Sequence, residues 1–307
     1  VETVCVLRRA PPAMPRVIYE DDDVVIVEKG PHEPVEAQPE YVGSLLARAA
    51  RLPGGDALRP VHRLDPNTSG LCLLARTDEA LALWAQQLQQ GGRLVYLAAT
   101  KGVTPAKGAI TRDLREGGRS YPARTRYRRL AIASGHSVLR VIPDGGRAHQ
   151  IRRHLAAIGH PVLGDERYGH LPTNRYFEEK HGLDRTFMHL VRIEITHPRT
   201  GARLQVESTL AGDLRSAIER ATGSSVLRFL EQKHALGDGR ASSIPPPPPP
   251  DDADQAPPSS RISSLPEEPN ESMRPSLFPF ADEGRAAPDL DESPRSIRPT
   301  LVTDDEE

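Results

Sequence analysis

Short apolar runs separated by turn-forming residues fill most of this chain. The run at 24–27 follows Asp21-Asp22-Asp23, and a second at 71–75 follows Asn67-Thr68-Ser69-Gly70; both read as strands. Residues 78–90 read as a helix that Gly91-Gly92 stops. Strand patterns recur at 93–100, 123–130 and 137–142. Gly145-Gly146 then opens a predicted helix over 147–158, ended by Gly159 and Pro161, and two last strands fall at 188–196 and 203–208. Strands joined largely to strands predict an α+β fold, with a mixed, mostly antiparallel central sheet and flanking helices.

The pattern stops near residue 237. Six consecutive prolines, Pro245 to Pro250, lead into Asp, Glu, Ser and further Pro, and half of the 30 prolines lie in this stretch. Such a segment cannot bury enough apolar surface to fold and is expected to be a disordered acidic tail. The expected organisation is an N-terminal extension at 1–15, a folded domain at 16–236 and the tail at 237–307.

Charge sharpens that division. The formal net charge of −2 hides 16 acidic against 6 basic residues from Asp238 onward, which leaves 34 basic against 26 acidic in the body. A basic body suits a polyanionic partner, although basic surfaces with no partner are common. Two cysteines, Cys5 and Cys72, provide neither a disulfide framework nor a thiolate metal site. No membrane span or export signal is legible, so a cytoplasmic protein with no membrane partner is expected.

Four segments carry candidate chemistry. In residues 61–71 Asp65 sits in a turn-rich loop just before an apolar strand, where a carboxylate can stand at a sheet edge; an Asp in such company is more often a plain turn former. In residues 145–155 a helix start is crowded with donors, and Arg152 lies at the border of the inward face formed by Ile151, Leu155 and Ile158. A guanidinium there needs an acidic partner; a phosphate-binding or solvated helix end is the alternative. Tyr96 is the polar-tipped residue of an apolar strand, a position usually given to core packing. Residues 159–169 form a Gly- and Pro-stiffened loop. His149 and His154, five apart, do not share the helical face that two metal ligands require.

Together these segments resemble the RluA-type pseudouridine synthases. His62-Arg63-Leu64-Asp65, two residues, then Thr68-Ser69-Gly70 is similar to that family's active-site signature. Tyr96-Leu97-Ala98, residues 146–152, residues 159–169 and His197-Pro198 with Gly201 follow in the family's order. The resemblance covers about residues 16–214. It implies the pseudouridine synthase fold with its catalytic cleft, and an enzyme that isomerises uridines in structured RNA, ribosomal or transfer, acting as a monomer without metal or other cofactor.

By the same resemblance Asp65 is the nucleophile, Arg152 pairs with it, and Tyr96 stacks on the target base. Arg63 fills the gap left by the flipped uridine, and Leu64 and Ile151 line the uracil pocket. Arg147 and His149 lie nearer the phosphates, as does Arg153, and Gln150 belongs to the substrate-binding set. The stretch Glu28-Lys29-Gly30-Pro31-His32-Glu33-Pro34 departs from the family's Lys-Pro-x-Gly pattern and puts acids where RNA might approach.

Overall fold

The computed structural model describes residues 13–232 and 241–244, all in one compact unit. A hairpin of β1 (Val17–Glu20) and β2 (Val24–Lys29) opens the fold, its turn closed by the Asp21 carboxylate, which accepts from the backbone N–H groups of Asp23 and Val24 at 2.8 Å. The short helix α1 (Leu45–Ala49) and a 3₁₀ turn (Gly55–Ala57) lead to β3 (Arg59–Pro60) and then β4 (Ser69–Ala75). Helix α2 (Asp78–Gln90) is capped by Thr77, whose hydroxyl accepts from the Ala80 N–H, and it buries Ala80 and Trp84 against the sheet.

A run of strands follows: β5 (Arg93–Thr100), β6 (Lys107–Thr111), the separate hairpin β7 (Leu114–Glu116) and β8 (Arg119–Tyr121), then β9 (Arg124–Ala133) and β10 (His136–Asp144). Helices α3 (Gln150–Ala157) and α4 (Leu171–His181) precede β11 (Met188–Thr196) and β12 (Arg203–Glu207). Helices α5 (Gly212–Thr222) and α6 (Ser224–Gln232) and the strand β13 (Ala241–Ile244) complete the described elements.

The main sheet runs β1-β2-β4-β11-β5-β10-β9-β6, with β3 beside β4, β12 beside β11 and β13 beside β12. Every pairing is antiparallel except β4 with β11. That junction is tight. Gly70 has φ 119°, and a Cβ there would lie 2.3 Å from the Leu190 carbonyl oxygen, so only glycine lets the end of the Asp65 loop run against β11. All seven residues of β4 are buried, and burying each Leu or Val of this core contributes roughly 1.5–3 kcal/mol.

Strand alternation gives the sheet two distinct faces. On one, Tyr96, Val141 and Tyr127 form a cross-strand row, and α3 lies over it through contacts of Gln150 and His154 with Thr125. The other face packs against α4 and α5, where Ala99 and Val138 meet Phe177, Ala217 and Ile218 around a small apolar cavity.

Three expectations change. The helix predicted over 147–158 is Gln150–Ala157, because His149 takes a left-handed φ of 52° and the helix cannot start before it; Ile158, placed on its inward face, is exposed beyond its end, and His154 is buried instead. The boundary drawn at 237 falls short, since Ala241–Ile244 pairs with β12 as a sheet strand. Helices α4, α5 and α6 went unread, their apolar positions being scattered among charged ones. The expectations on residues 1–12, 233–240 and 245–307 lie outside the described residues. No described helix is long and apolar enough to cross a membrane.

Candidate active site

Asp65 stands at the first position of a turn, its carbonyl accepting the Thr68 N–H at 2.9 Å, with Pro66 next. This turn is anchored from beneath. Lys29 is buried and donates to the carbonyls of Pro66, Gly30 and Glu33 at 2.7–3.0 Å. Arg185, also buried, donates to the Asn67 carbonyl and the Ser69 hydroxyl at 3.0 Å each, while its Nε and Nη2 grip Asp213 at the start of α5. His62 accepts the Leu73 N–H through Nε2, fastening the front of the loop to β4. Burial pushes His62 down to about 4 and His189, which meets Ser69 and Ser208, down to about 3. Burial likewise lowers Lys29 to about 7.

The Asp65 carboxylate is one-quarter exposed and accepts from Arg152 Nη1 at 2.8 Å. Arg152 is itself held: its Nε and Nη2 donate to the two oxygens of Asp165, both at 2.8 Å. Asp165 is fully buried and takes two more bonds from the backbone N–H groups of Arg167 and Tyr168. Burial opposes its charge, but these donors, Arg152 first, hold its carboxyl below the usual range. Gly164 permits this loop: a Cβ there would lie 2.0 Å from the Arg185 carbonyl oxygen. The result is one guanidinium bridging a buried and an accessible carboxylate, with one nitrogen aimed at the latter.

Tyr96 lies on the same sheet face, nearly buried, with burial and then the Asp65 charge raising its phenol pKa, so the hydroxyl keeps its proton. His149, expected nearer the phosphates, stands beside Asp65. Its Nε2 is 3.8 Å from Asp65 and its Nδ1 meets the Tyr168 hydroxyl at 3.1 Å. Desolvation lowers its pKa despite Asp65, so the ring is neutral at neutral pH.

The other expected residues have the following surroundings. Arg63 is exposed beside Glu36 at 3.4 Å, Leu64 and Ile151 are core residues, and Arg147 lies over the Tyr121 ring at 4.3 Å. Gln150, expected among substrate contacts, is hydrogen-bonded within the protein: its amide nitrogen donates to the Arg124 carbonyl and the Thr125 hydroxyl, and its oxygen accepts the Arg147 N–H. Arg153 donates to the Arg115 carbonyl. Glu33, the acid of the loop after β2, is buried in a two-pronged pair with Arg48 at 2.5 and 2.9 Å, and Glu28 within β2 accepts from Ser208.

Sequence reasoning gave no role to Asp165, Arg185 or Asp213. A lone Asp between Gly164 and Gly169, and a lone Arg before the apolar β11, were the available signals.

Comparison with known proteins places the chain in a family. Residues 23–157 match the family model described as RNA pseudouridylate synthase. The chain is 38% identical over 192 residues to an uncharacterised RNA pseudouridine synthase of Chloroflexus aurantiacus, spanning 58% of this chain and 59% of that protein. It is 34% identical over 240 residues to ribosomal large subunit pseudouridine synthase D of Nitrosomonas europaea, spanning 70% and 68%. The solved structure of human RNA pseudouridylate synthase domain containing 1 superposes with a TM-score of 0.57 at 20% identity, over 76% of this chain and 99% of that one. The chain belongs to the RNA pseudouridine synthase family.

Proposed function

We propose that this protein converts specific uridines of structured RNA into pseudouridine, with Asp65 as the catalytic carboxylate and the target base flipped out of its stack. The observation that carries this reading is the Asp65 carboxylate, part-exposed on a clamped turn and fixed at 2.8 Å by Arg152. The reaction breaks the N1–C1′ bond, turns the uracil and forms C5–C1′; N1 gains a proton and C5 loses one, so atoms balance with no redox partner and no energy source. A carboxylate held charged and aimed can attack the base covalently or take a ribose proton to give a glycal. Tyr96, still protonated, would stack on the base and act near C5. A base inside a helix is out of reach of such a site, hence the flip, at a cost of a few kcal/mol, with Arg63 filling the gap and Leu64 and Ile151 behind the uracil.

The names of the relatives, ribosomal large subunit pseudouridine synthases C and D, favour ribosomal over transfer RNA as the substrate. The same proposal takes the enzyme to be a cytoplasmic monomer. Mapping pseudouridines in ribosomal and transfer RNA from a strain lacking the gene tests it. One or a few positions should revert to uridine; an unchanged map in both RNAs would refute the proposal.

A further inference from the structure

The sheet face opposite Tyr96 carries cations that the candidate site does not use. Thr125 and Tyr127 of β9 point toward α3, so Arg124, Arg126 and Arg128 point the other way, and all three are exposed. Lys107 of the edge strand β6 is paired with Arg128 on one side, and Arg140 of β10 on the other. Burial lowers the pKa of Arg140, and the nearby Arg192 and Arg128 lower it further, while Glu194 and Glu207 act in the opposite sense. Arg126 is paired with Asp144 at 2.7 Å and Arg192 with Glu207 at 2.6 Å. Among the described residues no carboxylate makes an ion pair with Lys107, Arg128 or Arg140. Like charges facing each other across paired strands destabilise a sheet, so this row is unfavourable unless an anion occupies it.

We propose that Lys107, Arg126, Arg128 and Arg140 form a second contact surface for the RNA backbone, on the side of the sheet away from Asp65, which grips phosphates remote from the target uridine. The inference rests on the reading of the chain as an RNA-modifying enzyme. Three features favour RNA as the occupant. The cations are mostly arginines, whose guanidinium forks match phosphate oxygens. Those of β9 recur every second residue, about 6.7 Å apart, as a ladder along the strand. And β6 is the end of the sheet, so a large RNA passing around that edge can touch both faces.

The test uses the full chain carrying Lys107→Gln and Arg128→Gln together, both exposed positions where folding should survive, as checked by thermal melting. Filter binding is measured at several salt concentrations with two probes: a transcript of large-subunit ribosomal RNA and a short uridine-containing stem-loop. The double variant should bind the transcript roughly tenfold more weakly at low salt, with a slope of log K against log salt shallower by about 2, and bind the stem-loop within about twofold of wild type. Arg128→Lys should keep the transcript affinity. Unchanged transcript binding would overturn the proposal. So would an equal loss on both probes, which would report only the general field of the protein. Weaker binding to polyglutamate with RNA binding intact would assign the face to an acidic polypeptide, and also overturn it. Tritium release by the wild type from transcript labelled at uridine C5 is recorded separately. A shallower slope without release would reject the proposed function and leave the surface standing.

Discussion

Asp165 holds two nitrogens of Arg152 and leaves a third, Nη1, directed at Asp65. The fully buried carboxylate thereby sets the position of the accessible one without touching it.

Replacing Asp165 should therefore damage catalysis from a distance. Asp165→Asn keeps an oxygen for the Arg167 and Tyr168 N–H groups but loses the second charged bond to Arg152. Misplacement of a reacting group by about 1 Å can lower turnover on the order of 100-fold. The expected outcome is a kcat loss of that order with KM for RNA within severalfold, read from single-turnover and steady-state kinetics. Stability should fall by up to about 3 kcal/mol, since the buried guanidinium loses one of its two carboxylate partners. Wild-type kcat in this variant would show that Arg152 is positioned by other contacts.

The pair Arg185 and Asp213 supports the Asp65 turn from the opposite side. Arg185→Met leaves Asp213 unpaired and frees the Asn67 carbonyl, and about 3–5 kcal/mol of stability should be lost. Asp213→Asn alone should cost at least as much, because it leaves the fully buried Arg185 guanidinium without a carboxylate partner. In a double-mutant cycle by urea unfolding the two should couple by more than about 1 kcal/mol. Simple additivity would mean that the ion pair does not brace the loop.

Acid should unfold the protein through His62 and His189. Their folded values, about 4 and about 3, lie below an ordinary histidine value of 6.5. Between pH 6.5 and 4 the unfolded chain holds about two more protons than the folded one through these rings, so stability must rise with pH across that window and fall as pH drops. Urea unfolding at intervals from about pH 7 to 4 should give that slope, and His189→Gln should reduce it by about one proton. A flat profile would mean that the two rings take up protons in the folded state.

Much of this was legible from residue patterns. The β5 and β11 strands and α2 have the bounds their apolar spacing indicated, because each is bounded by turn formers or caps. Asp65, Tyr96 and Arg152 were named by motif, and a half-buried guanidinium demands a carboxylate whatever the family. What the pattern concealed was of two kinds. Asp165, Lys29, Arg185 and Asp213 are ionisable residues buried or partly buried by tertiary pairing, and nothing local marks a charge as buried. His149 and the start of α3 depend on one left-handed backbone turn, which is uncommon outside glycine and which nothing in the neighbouring residues marks. The cation ladder on β9 was visible as alternating arginines, but only the register with β6 and β10 shows that Lys107 and Arg140 extend it.

The most direct measurement compares wild type with Asp65→Asn, using tritium release from RNA labelled at uridine C5 and filter binding of the same RNA. The substitution preserves the size of the side chain and an acceptor for Arg152, yet removes the charge. The expected result is no detectable release with RNA affinity within roughly tenfold of wild type, since phosphate contacts supply most of the binding. Release near the wild-type rate would contradict the assignment of Asp65 as the catalytic carboxylate.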